Sequence, residues 1–205
     1  MITQIVLVRH GQTDWNHARR IQGGGSDIPL NIRGVAQAEG LARRLSAEGA
    51  AAIYSSDLQR AMSTATVIAR NVGLEVTPEP DLREIEGGTL EGQTLGDLGR
   101  RLDELLVRGD EQAARTGVSP FGSETLAHLQ QRAWPAVQRI AGRHPGGTVL
   151  LVTHYFVILS VVCAVLELPL WQVGRFRMSV GSVSRVNFED AFPRLVLFND
   201  TSHLE

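Results

Sequence analysis

Short unbroken apolar runs alternate along the chain with longer stretches in which apolar positions recur every three or four residues. Ile5-Val6-Leu7-Val8 is the first run, ending at Arg9-His10-Gly11. Continuous aliphatic runs of this length suit parallel strands covered on both faces. A polar loop containing Gly23-Gly24-Gly25 follows. Asn31 then stands where it can cap a helix whose apolar positions Val35, Ala38, Leu41, Ala42 and Leu45 keep helical spacing up to Gly49. Ala51–Tyr54 predicts a second strand, and Ser55-Ser56-Asp57 offers caps for a helix striped by Leu58, Ala61, Met62, Ala65, Ile68 and Ala69. Leu74–Thr77 reads as a third strand, stopped by Pro78 and Pro80. Helical patterns over Leu95–Val107 and Ser123–Ala141 flank an irregular segment, Arg108–Gly122. Val149–Thr153 is another buried strand, and Arg185–Phe188 and Leu195–Phe198 are strands joined through Glu189–Pro193.

Strands alternating with helices predict an α/β fold: a three-layer sandwich with a mostly parallel central sheet and helices on both faces. A length of 205 residues suits one domain, 1–205, so Arg108–Gly122 is expected to be a covering loop within it rather than a boundary. No internal repeat or low-complexity tract interrupts the pattern.

Composition narrows the chemistry. A formal net charge of −2 gives no global attraction to nucleic acid or to an anionic membrane, so an anion site has to be a local cluster. All 20 basic residues are Arg. Without Lys there is no Walker-type phosphate loop, no Schiff base and no Ser-Lys dyad. The single cysteine, Cys163, lies in an apolar run and reads as a buried thiol; a lone Cys suits a reducing, cytoplasmic setting. No basic leader precedes the first strand, so no secretion signal is expected. The apolar stretch Val149–Leu166 is broken by Thr153, His154, Tyr155 and Ser160, which favours a strand leading into a core helix over a membrane span. His17, His128, His144 and His203 lack metal-ligand spacing, and Gly23-Gly24-Gly25 does not follow a strand as a dinucleotide fingerprint would; it reads as a flexible loop. Trp15, Trp134 and Trp171 are scattered and read as core or rim.

Ligands of open α/β sheets bind beyond the carboxyl ends of the strands. The first strand ends in Arg9-His10, the second leads into Arg60, and Val149–Thr153 ends in His154. Two arginines and two histidines would converge there as an anion pocket. Arg60 falls in the first turn of its helix, where the macrodipole penalises a cation; a solvated Arg60 paired with Asp57 is the alternative. A neutral imidazole can attack phosphorus while its second nitrogen donates to an acceptor that fixes the tautomer. A second His, if protonated, would add charge beside the phosphoryl oxygens, and a leaving alkoxide needs a carboxylic acid nearby.

Leu7-Val8-Arg9-His10-Gly11-Gln12-Thr13 resembles the opening motif of the histidine phosphatase superfamily, which includes the cofactor-dependent phosphoglycerate mutases. The likeness continues in order through Asn16, Gln22-Gly23, Pro29-Leu30-Asn31, Gly34, Gln37-Ala38 and Tyr54-Ser55-Ser56-Asp57-Leu58-Gln59-Arg60-Ala61. It extends through Leu82-Arg83-Glu84-Ile85, Glu91-Gly92, Glu124-Thr125 and Val152-Thr153-His154 to Asn199-Asp200-Thr201-Ser202-His203-Leu204.

The resemblance implies that His10 is the phosphorylated nucleophile, that Arg9, Arg60 and His154 line the phosphate pocket, and that Asn16 adds a hydrogen bond. It further implies that Glu84 protonates the leaving group and then activates water, and that Gln22 and Gly23 border the entrance. Neither metal nor cofactor is implied, and the partner is a small phosphorylated metabolite; a homodimer is compatible with the sequence. The short stretch after Glu84 resembles the phosphatase branch, since mutases of the family carry an inserted segment there. No added basic residues for a second phosphate are evident, so hydrolysis is expected ahead of mutase activity. In one respect the chain departs from the family: Tyr155 stands where a small residue, commonly Gly, follows the second histidine. Tyr155 is therefore expected to line and reshape the pocket, and it raises the alternative of a module that binds phosphorylated ligands without turnover.

Overall fold

The computed structural model describes residues 1–94, 96, 102–116, 119, 121–189 and 192–204. Its strands are β1 (Thr3–Arg9), β2 (Ala50–Ser55), β3 (Val76–Pro78), β4 (Thr148–Thr153), β5 (Val183–Glu189) and β6 (Phe192–Asp200). They form one sheet in the order β3-β2-β4-β1-β5-β6. The β1–β4, β2–β4 and β2–β3 pairs are parallel, and β5 runs antiparallel to both β1 and β6. The helices are α1 (Asp14–His17), α2 (Ile32–Leu45), α3 (Gln59–Val72), α4 (Leu102–Thr116), α5 (Leu126–Arg143) and α6 (Tyr155–Val165).

The strands alternate between two cores, which is what an apolar run covered on both faces requires. Ile5, Leu7, Val149 and Leu151 point into the core shared with α5 and α6, while Val6, Val8, Leu150 and Val152 point into the core shared with α2 and α3. The expected three-layer α/β sandwich is therefore present. Helix α6 is apolar on every side because it is enclosed, and Cys163 is fully buried within it. No helix among the described residues is long and apolar enough to cross a membrane.

Asn31 caps α2 as expected, its side chain accepting from Gly34 N at 2.9 Å. Val35, by contrast, is 44% exposed. The helix instead turns Gly34 inward, where an added Cβ would collide with the backbone of Gln12. A Cβ on Gly11 would strike Gly34 in return, so the loop after β1 can pass this helix only because both residues are glycine. None of Ser55, Ser56 or Asp57 is the N-cap of α3; that residue is Leu58, and Asp27 reaches across to accept from Gln59 N at 2.7 Å.

The expected helix at Leu95–Val107 falls in part on residues 95 and 97–101, outside the described residues. Helix α4 starts at Leu102 and runs to Thr116, through much of the stretch expected to be irregular. Asp110 explains its placement: its carboxylate accepts from Leu126 N at 2.7 Å and Ala127 N at 3.2 Å, tying α4 to the first turn of α5. Arg108–Gly122 is thus a packed helical segment for most of its described length.

Candidate active site

Because β1 to β4 are parallel, their carboxyl ends share one edge of the sheet, and the loops leaving it carry the predicted side chains. His10 follows β1 and His154 follows β4, with ring centroids 5.1 Å apart. His10 N donates to Thr153 O at 3.0 Å, so the two strand ends are stitched together at the site. His10 Nδ1 lies 2.7 Å from Gly11 O, an acceptor only. That contact places the ring proton on Nδ1 and leaves Nε2 with its lone pair. Burial, reinforced by Arg60 and Arg9, holds the His10 pKa well below the ordinary histidine value, so the ring is neutral at physiological pH.

Arg60 is fully buried. It makes no pair with Asp57, which binds Arg83 instead. Its guanidinium donates to Ser26 O at 2.7 Å and to Gly23 O at 3.1 Å, leaving Nε buried without a partner. Burial lowers its pKa to about 10, so it stays charged. Arg9 donates to Met178 O at 2.7 Å, lies 5.0 Å from the Tyr155 ring centroid, and also keeps an unpartnered buried Nε. Two desolvated guanidiniums with free N–H groups form a strong anion site.

Glu84 is buried, and burial raises its pKa despite hydrogen bonds from Ile85 N at 3.0 Å and Phe156 N at 3.2 Å. Raising a carboxyl pKa by burial is how such a group is suited to proton donation. Its loop is clamped by Arg132, which donates to Asp81 O and Glu84 O while binding Glu124 at 2.7 and 2.8 Å. The Glu124 of the motif therefore acts on this loop through Arg132, a residue the sequence did not single out.

A cavity of about 430 Å³ opens over His10 and is lined by Arg9, Asn16, Gln22, Glu84, Tyr155 and Phe156 among others. Arg60 and His154 are fully buried and do not line it. Gly23 enters the site through its backbone, as an acceptor for Arg60. Asn16 closes a capping box with Thr13, whose hydroxyl donates to Gln22 Oε1 at 2.7 Å and thereby leaves Gln22 Nε2 buried without a partner. The Gly23–Gly25 loop, expected to be flexible, is packed: an added Cβ at Gly23 or Gly24 would collide with the backbone at Gly87 or Glu84. Glu91 holds it further, accepting from Gly25 N, Gly87 N and the Ser26 hydroxyl.

Three arginines that the sequence left unassigned, Arg19, Arg20 and Arg177, also line this cavity and are exposed at its mouth. The Arg20 side chain donates to Gly92 O at 2.9 Å, whereas the side chains of Arg19 and Arg177 make no hydrogen bond or ion pair with any described residue. The expectation of no added basic residues is thereby corrected. A signal was available for the first two, as an Arg pair between Asn16 and Gln22, but Arg177 is brought in only by the fold.

The histidine phosphatase superfamily (branch 1) model matches residues 5–201, and the chain belongs to that superfamily of enzymes. Among its relatives, a probable phosphoglycerate mutase GpmB of Escherichia fergusonii is 36% identical over 188 residues, covering 92% of this chain and 86% of that protein. Bacillus stearothermophilus YhfR has a structure that superposes with a TM-score of 0.85 at 35% identity, covering 99% of this chain and 100% of that one. The structure of an Entamoeba histolytica phosphoserine phosphatase in complex with 3-phosphoglyceric acid superposes with a TM-score of 0.86 at 29% identity, over 99% and 100% of the two chains.

Proposed function

We propose that the protein is a single-domain, cytoplasmic, metal-independent phosphatase that hydrolyses a small phosphate monoester bearing a second anionic group. The observation that carries this reading is the pairing of a neutral His10, its Nδ1 committed to Gly11 O, with a buried Glu84 whose pKa burial raises. In the first step His10 Nε2 attacks phosphorus, the P–O ester bond breaks, and the leaving oxygen takes the Glu84 proton. In the second, Glu84 carboxylate removes a proton from water, which attacks the phosphohistidine; the P–N bond breaks and phosphate leaves. Arg9 and Arg60 neutralise charge on the phosphoryl oxygens throughout, which is most of what phosphoryl transfer requires.

The second anion follows from Arg19, Arg20 and Arg177, which give the mouth of the cavity positive charge beyond what one phosphate needs. The phosphoserine phosphatase found with 3-phosphoglyceric acid supports a phosphorylated carboxylic acid. The same arginines, together with the resemblance to GpmB proteins, favour a mutase as the second reading. Hydrolysis is preferred because these cations are exposed and leave the cavity open to water, the acceptor a mutase has to exclude.

The test is release of phosphate from p-nitrophenyl phosphate and from phosphorylated hydroxy acids in EDTA, with an acid-labile, base-stable label trapped on the protein. His10→Ala is expected to lower turnover by about 10⁴-fold or more and to abolish the label. Retained activity in that variant defeats the nucleophile. Conversion of 3- to 2-phosphoglycerate faster than phosphate release establishes the mutase instead.

A further inference from the structure

Ser56 lies beneath His154 and is fully buried, as is the histidine. Its Oγ is 2.8 Å from His154 Nε2 and accepts from Leu58 N at 3.3 Å. No other described group is within hydrogen-bonding reach of that hydroxyl, so its proton has one available acceptor, His154 Nε2. The reverse arrangement, Nε2–H donating to Oγ, would leave a buried hydroxyl proton unsatisfied. The opposite ring nitrogen, Nδ1, is buried without a partner, on a ring 5.1 Å from that of His10. A lone pair there would repel a phosphoryl oxygen, whereas an N–H would bind it.

We infer that Ser56 is a positioning residue that fixes His154 as the neutral Nδ1–H tautomer, so that the second histidine serves the phosphoryl group as a hydrogen-bond donor rather than as a cation. The inference rests on the phosphatase reading for its purpose but not for its geometry. It also revises the expectation that His154 would contribute a charge. Burial, and after it Arg60, His10 and Arg9, push its pKa well below the ordinary histidine value, which agrees with a neutral ring.

The experiment is ¹⁵N NMR of the full protein with labelled histidine, with the His154 signals identified by their loss in His154→Gln. In the wild type, Nδ1 should resonate as a protonated, pyrrole-type nitrogen and Nε2 as an unprotonated, pyridine-type one. In Ser56→Ala the two tautomers should mix and kcat for p-nitrophenyl phosphate should fall about tenfold to a hundredfold, as for loss of a hydrogen bond to a charged group. Ser56→Thr, which keeps the hydroxyl, should keep the wild-type tautomer. A proton on Nε2 in the wild type overturns the inference even if neither Ser56 variant folds. So does a folded Ser56→Ala with unchanged tautomer and kcat. Expected spectra in a protein that turns over no phosphate ester would leave the tautomer standing and remove the phosphatase reading.

Discussion

The floor and the mouth of the same cavity are built on opposite terms. On the floor, His10 and Glu84 are nearly fully buried, Arg60 and His154 beyond the lining are completely so, and their polar groups bind backbone or Ser56 or are held without a partner. At the mouth, Arg19, Arg20 and Arg177 are exposed, and the side chains of two of them bind no described group. Burial on the floor strengthens every charge interaction and displaces pKa values, while exposure at the mouth leaves charges screened and side chains mobile. In the proposed reading, the first region serves chemistry and the second selection among substrates.

Substitutions can break that division. On the floor, Glu84→Gln is expected to cost about 10²- to 10⁴-fold in kcat on alkyl phosphates, and less on p-nitrophenyl phosphate, whose leaving group needs no proton. Because burial raises the Glu84 pKa in the folded state, the folded protein keeps a proton that the unfolded chain releases, and stability falls as pH rises from the ordinary carboxylate range through the raised value. Glu84→Gln should therefore melt higher than the wild type near neutral pH and lose that advantage in acid, as calorimetry across pH would show. At the mouth, Arg19→Ala and Arg177→Ala should each raise KM for a phosphorylated carboxylic acid about tenfold, with a smaller rise for p-nitrophenyl phosphate and little change in kcat. An equal loss in kcat on both substrates would place these arginines in the chemistry and erase the distinction. The smallest effect is ionic: raising salt from about 0.05 to 0.5 M should increase KM for the doubly anionic substrate a few-fold, with kcat nearly constant.

Much of the floor was legible in the sequence, and the reason is physical. Parallel strands deliver the residue after each carboxyl end to a shared edge, so His10 and His154 could be brought together from periodicity alone. Arg60 was legible as a cation in an unfavourable first turn. Glu84 was not, because it leaves no periodic trace in its loop and depends on Arg132 and Phe156, distant in sequence, for its position and environment. Ser56 could be read only as a cap candidate, since its bond to His154 spans two strand ends. Arg177 was hidden for the same reason. The run of helix α4 through residues expected to be irregular had no local signature, because Asp110 on α4 ties it to the first turn of α5. The glycines after Gln22 looked like a flexible tract, although their missing side chains are what allow the loop to pack against Gly87 and Glu84.

Strand β1 is flanked on both sides, by β4 and β5, and its hydrogen bonding continues past its end, with Arg9 N bound to Ser182 O and His10 N to Thr153 O. His10, the proposed nucleophile, is thus rooted in a central strand, the kind of element expected to open last, whereas the arginines of the mouth sit on loops, which open locally at lower cost. Under mild denaturant the two functions should therefore separate in order. Discrimination among substrates would fade while the capacity to form phosphohistidine persisted, leaving an intermediate state that is less selective before it is inactive.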